Sequence, residues 1–138
     1  MMGNLYFGTH HGICSFVSIT DPTFLAMLKL QRAEYRRALP QRLAHIESLW
    51  QQVLGGNDAA QALATLERSA HSLAGSGATF GCAGAGSAAR ELELAVAPLV
   101  DTACAMTAGK RLDISQAIEV LRRSLPGDAT NRGGQAQA

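Results

Sequence analysis

A chain of 138 residues with 12 basic and 11 acidic side chains carries a formal net charge of +1, and it lacks the clustered basic face of a dedicated nucleic-acid binder. Its length suits one domain with tails, and a content of 47% hydrophobic but only 5% aromatic residues calls for a core of Leu, Ala, Val and Ile, which suits closely packed helices. Cys14, Cys82 and Cys104 are odd in number and without paired spacing, so they read as reduced thiols of a cytoplasmic protein rather than a disulfide framework.

Residues 1–20 show no usable period and hold glycines, paired histidines and scattered apolar residues, so a disordered or irregular N-terminal extension is expected there. No basic segment followed by a long apolar run is present, and residues 13–19 are far too few to span a bilayer, so no leader and no membrane association are expected. His10, His11 and Cys14 are ligand types, but a metal site needs three or four ligands held by structure, and no metal is assigned to them. Asp21-Pro22 is a helix start, a capping side chain followed by proline at the first helical position. An N-terminal helix is predicted over residues 23–38, interrupted or kinked by Pro40. Leu39, Leu43, Ile46, Trp50 and Val53 carry the next stripe, which stops at Gly55-Gly56. Arg36, Arg37 and Arg42 read as a solvated basic helix face, and His45 as a surface or boundary histidine.

Asn57-Asp58 is expected to cap a helix over residues 59–80. In it Leu63, Leu66, Ala70, Leu73, Gly77 and Phe80 recur at spacings of 3, 4, 3, 4 and 3, which marks one buried face. The next helix is expected over residues 84–100, with Ala88, Leu92, Val96 and Leu99 inward, a loose start at Gly84-Ala85-Gly86 and a last turn loosened by Pro98. Residues 105–112, holding Gly109, read as a loop, and Asp113 or Ile114 opens a last helix with Ile114, Ile118, Leu121 and Leu125 as its seam. Pro126-Gly127 ends it, and residues 126–138 form a tail of low apolar content expected to be disordered. No strand-like alternation occurs. The expected fold is all-α: an antiparallel up-down-up-down four-helix bundle over residues 21–125, with an additional N-terminal helix.

His71 falls one step off the buried stripe, and the small residues Ala74, Gly75 and Ala78 leave nothing bulky over its imidazole. A glycine inside a helix costs roughly 1 kcal/mol against alanine, so Gly75 and Gly77 invite a reason other than packing, and a bare, approachable histidine is one. A neutral imidazole is a nucleophile at cellular pH. It can take a phosphoryl group from an acyl phosphate and hand it on, a covalent relay rather than a hydrolysis. Such a transfer needs in-line approach and a metal to neutralise charge. Nothing in the chain looks like a metal cage, so no bound cofactor is expected and Mg2+ would come with the partner. The glycines at 75, 77, 81, 84 and 86 are no dinucleotide loop, because they lie in or beside helices with no preceding strand.

The run His71-Ser72-Leu73-Ala74-Gly75-Ser76-Gly77-Ala78-Thr79-Phe80-Gly81, followed by Ala88-Ala89-Arg90-Glu91-Leu92-Glu93, resembles the histidine-containing phosphotransfer (HPt) domain of bacterial two-component phosphorelays. The family pattern of His-x-Leu-Lys-Gly, small residues, Phe-Gly and a later Ala-x-x-Leu-Glu is met at His71, Leu73, Gly75, Phe80, Gly81, Leu92 and Glu93. The likeness covers about residues 22–125, with its diagnostic part at 66–93. It implies that His71 is the phosphoacceptor and that Gly75 gives clearance for a receiver domain. Response-regulator receiver domains, a hybrid sensor histidine kinase, or both are the implied partners. Glu67, Arg68, Ala74, Gly75 and Ala78 are the expected docking residues. Ala74 stands where many members have a lysine that steadies the phosphohistidine, and Arg68 or a partner residue is the candidate substitute. Glu67 and Arg68 tune the histidine or the docking surface as readily as they are simply solvated, and Arg90 with Glu93 orients something in the site as readily as the two pair on a helix surface.

No glycine-rich ATP lid and no acidic receiver cluster accompany the histidine, so a phosphocarrier without a kinase site of its own is expected. The alternative is a helical adaptor that binds a receiver or signalling partner without being phosphorylated, which Ala74 in place of lysine keeps open. A monomer is expected, since no unspent apolar stripe is evident.

Overall fold

In the computed structural model residues 21–102 and 105–126 are described, so the expected extension over 1–20 and most of the expected tail lie outside the described residues. Four helices follow in order: α1 Pro22–Leu54, α2 Ala59–Gly77, α3 Ala83–Asp101 and α4 Ala108–Arg123, with no strand among the described residues. The all-helical expectation holds. The chain divides into two compact units, one ending at Glu34 and one running from Tyr35 onward.

In the first unit, Asp21 Oδ1 accepts from the Thr23 amide at 3.0 Å and opens α1, as its side chain and the following proline predict. Leu25, Met27 and Leu30 are exposed on this part of the helix. Pro40 does not interrupt the helix, and the stretch read as two helices is one helix of 33 residues. A proline inside a helix removes one hydrogen bond and crowds the carbonyl four residues back. Pro40 and Arg36, the residue whose carbonyl loses its donor, are both exposed, so water can serve that carbonyl. Leu39, Leu43 and Ile46 bury around the proline, and that packing holds the helix together through it.

The second unit is a helical bundle whose core draws on every helix. Leu39, Ile46, Leu66, Leu73, Leu92, Val96, Ile114 and Leu121 are its largest fully buried side chains, and no polar or charged residue is buried among the described residues. The period-3.6 stripes of the sequence supply these residues, with Ala62, Ala70, Ala85 and Ala89 as small spacers between them. Trp50 is buried as a body and donates its Nε1–H to Ser115 Oγ at 3.2 Å, tying α1 to α4. Arg122 adds ion pairs to Glu47 on α1 and Glu119 on its own helix.

The helix ends show where local signals were read well and where not. Gly55 and Gly56 stop α1, with Gly56 at φ 76°. Asp58 was expected to cap α2 by its side chain. It is instead left-handed (φ 48°, ψ 48°) with no side-chain cap bond, and its carbonyl starts the helix by accepting from Ala62. α2 ends at Gly77, not at Phe80; a tight turn follows, with Gly81 at φ 81° and the Cys82 amide bonded to the Gly77 carbonyl at 2.7 Å. α4 begins at Ala108, five residues before the expected start, because Thr107 caps it by accepting from the Lys110 amide at 3.1 Å. Gly109 therefore lies in the first helical turn rather than in a loop.

α2 and α3 pack backbone against backbone where Gly77 faces Gly86. A Cβ built on Gly77 would lie 2.6 Å from the Gly86 Cα, closer than any real contact, so this glycine is a packing requirement after all. The start of α3 is not loose: Ala85 and Gly86 are buried, and Gly86 packs against Gly77 of α2. Gly75 is the opposite case, with nothing within 4 Å of a Cβ built there.

Candidate functional site

The close crossing at Gly77 and Gly86 brings the flanks of α2 and α3 near enough for a short pair to bridge them. Two turns before Gly77 on α2 stands His71, and two turns after Gly86 on α3 stands Glu93. Their side chains meet, with His71 Nδ1 2.6 Å from Glu93 Oε2. The imidazole is open to solvent, its side chain 72% exposed, whereas the carboxylate is 16% exposed. Glu93 Oε1 is buried without a hydrogen-bond partner among the described residues, so the bond to His71 is what the carboxylate has in exchange for lost hydration. A carboxylate accepts only, so in the neutral ring Nδ1 carries the proton and the lone pair lies on Nε2. Nε2 has no hydrogen bond among the described residues.

The residues singled out in the sequence share this face of α2. Glu67 and Arg68 lie one turn before His71, Ala74 and Gly75 one turn after it, and Ala78 one turn further, still with helical dihedrals. Arg68, Gly75 and Ala78 are exposed, while Glu67 and Ala74 are half-buried. Arg68 turns back along its helix and donates to Thr65 Oγ1 at 3.3 Å. Between α2 and α3 an open groove is lined by Ala74, Ala78, Ala83, Gly86, Ser87, Arg90 and Glu91.

Two things escaped the sequence. Glu93 stood level between a site role and a surface pairing, and only the crossing of two helices places it on the histidine. Arg42, read with its neighbours as solvated, donates to Ser72 Oγ at 3.0 Å and lies over the Tyr35 ring, 5.8 Å from its centroid. Tyr35 in turn shares a 2.6 Å hydrogen bond with Ser76 Oγ and stacks on Phe80 at 4.8 Å, and Ser76 donates to the Ser72 carbonyl at 2.9 Å. This network braces the back of the histidine's turn against α1. His45 is exposed, as read, and lines a second groove with Arg42, Gln41 and Ser69.

The bond to Glu93 engages one nitrogen of an exposed imidazole and leaves the other facing solvent. The family model of the Hpt domain matches residues 32–126, well over half of the chain. The chain belongs to the Hpt domain family. Hpt domains are carrier modules of histidine phosphotransfer in phosphorelays, working with receiver domains and histidine kinases rather than as catalysts in their own right. No curated protein and no solved structure matches the chain. Among the described residues of this Hpt domain, no group of three or more His, Cys, Asp or Glu could hold a metal ion, and no helix is long and apolar enough to cross a membrane. Cys82 is a free, buried thiol, while Cys14 and Cys104 lie outside the described residues, as does the His10-His11-Cys14 string.

Proposed function

We propose that this Hpt domain, an antiparallel up-down-up-down bundle, accepts a phosphoryl group on His71 from a receiver aspartyl phosphate and passes it to a second receiver aspartate. The observation that carries the reading is the 2.6 Å bond from His71 Nδ1 to the half-sequestered Glu93, which in the neutral ring leaves the Nε2 lone pair on an open face. In the forward step the Nε2 lone pair attacks phosphorus in line. The N–P bond forms, the bond from phosphorus to the aspartyl oxygen breaks, and the receiver's carboxylate leaves with that electron pair. The Nδ1 proton stays in place, and the positive charge that the phosphorylated ring acquires faces the Glu93 carboxylate. Transfer to the next aspartate reverses the same bonds.

Receivers approach over Ala74, Gly75 and Ala78, where the side chains are small, with Glu67 and Arg68 at the edge. The receiver supplies the Mg2+ that neutralises the transferring group. The domain works as a monomer in the cytoplasm. Incubation with phosphorylated receivers should place acid-labile, base-stable label on the domain, and His71→Gln should carry none. Binding of receivers without label on the unaltered protein would sink the relay and assign the domain as a helical adaptor.

A further inference from the structure

A phosphoryl group on Nε2 brings close to two negative charges to a ring already held by a carboxylate. The site therefore needs a cation, and three guanidinium groups border it. Arg68 is turned back to Thr65. Arg42 is committed on the α1 side, between Ser72 Oγ and the Tyr35 ring. Arg90 has no hydrogen bond or ion pair among the described residues, is exposed, and lines the groove between α2 and α3.

Its register is specific. The contact between α2 and α3 runs from His71 opposite Glu93 to Gly77 opposite Gly86. Arg90 is one turn from Glu93 toward Gly86, and Ala74 is one turn from His71 toward Gly77, so Arg90 stands across from Ala74 in the same groove. Ala74 and Ala78 leave that groove free for a long side chain to lie across it. A guanidinium there offers two parallel donors to phosphoryl oxygens.

We propose that Arg90 is the cation that holds the phosphoryl group on His71, reaching over Ala74 from the neighbouring helix. The inference rests on His71 as phosphoacceptor, and the test separates the two. The intact protein is phosphorylated with phosphoramidate, whose P–N bond breaks as ammonia leaves and the Nε2–P bond forms, and the product is titrated by 31P NMR. A phosphohistidine resonance absent from His71→Gln is expected. Loss of the cation favours the protonated phosphoryl group, so Arg90→Ala should raise the midpoint of its second ionisation by about 0.2–0.7 pH unit. Arg90→Lys keeps the charge and should hold the wild-type midpoint, and thermal unfolding of all three should coincide, because the side chain is exposed. A resonance with coincident wild-type and Arg90→Ala midpoints, or an Arg90→Lys midpoint that follows Arg90→Ala, overturns the role of Arg90 alone. A wild-type protein with no such resonance overturns the phosphoacceptor and the role of Arg90 together.

Discussion

One oxygen of Glu93 is bonded to His71 Nδ1 and the other is buried without a partner among the described residues. In the proposed relay the task of this carboxylate is to fix which nitrogen of an exposed ring carries the proton. Glutamine at this position offers one acceptor and one donor. Turned one way it mimics the carboxylate; turned the other it donates to Nδ1 and moves the ring proton onto Nε2, where the nucleophile should be. Glu93→Gln should therefore slow labelling of His71 by phosphoramidate, and Glu93→Ala should slow it by about tenfold, the loss of one charge-assisted hydrogen bond of about 1.5 kcal/mol. Equal labelling rates in Glu93→Ala and wild type would remove Glu93 from the mechanism. The exposed, off-stripe position of His71 was legible from its phase, and Glu93 was legible as a motif residue, but their pairing was not, because a contact across 22 residues depends on how two helices cross.

The two glycines of α2 near the site separate cleanly by what a methyl group would meet. At Gly77 it meets the backbone of Gly86, which cannot move without parting the helices. Gly77→Ala should cost about 2–3 kcal/mol, read by chemical denaturation. At Gly75 it meets open space, and alanine there should add up to about 1 kcal/mol of helix stability. The same methyl group stands on the approach to His71, so Gly75→Ala should slow transfer from a receiver more than labelling by phosphoramidate. A stabilised protein with undiminished receiver transfer would deny Gly75 its clearance role. The sequence placed Gly77 on the buried stripe and Gly75 off it, but a helix cost was set against both alike, since a close approach is invisible until the opposing helix is known. Similarly, Thr107 lay inside the stretch around Gly109 that read as a loop, although one hydroxyl suffices to cap α4. Thr107→Ala should lower stability by about 1 kcal/mol. The inward stripes were readable because burial repeats with the helical period: Leu66, Ala70, Leu73 and Gly77 are all buried. Pro40 was over-read, since packing on both sides of it outweighs its local preference.

At the scale of the molecule, the buried core residues among the described residues run from Leu39 to Leu125, and the Hpt match spans nearly the same stretch. Removal of residues 1–31 should therefore leave one cooperative thermal transition, with a midpoint within about 5 °C of the full chain. Loss of the transition would show that the start of α1 is part of the folding unit. The histidine that this core supports is reached from one side, because Glu93 occupies one edge of its ring and the helix its base. Two partners cannot share such a ring. In the proposed relay, donor and acceptor compete for the same few small residues, and each must leave before the other arrives. Traffic through the carrier then follows a ping-pong rule, and an excess of either unphosphorylated receiver acts as a competitive brake on the whole pathway.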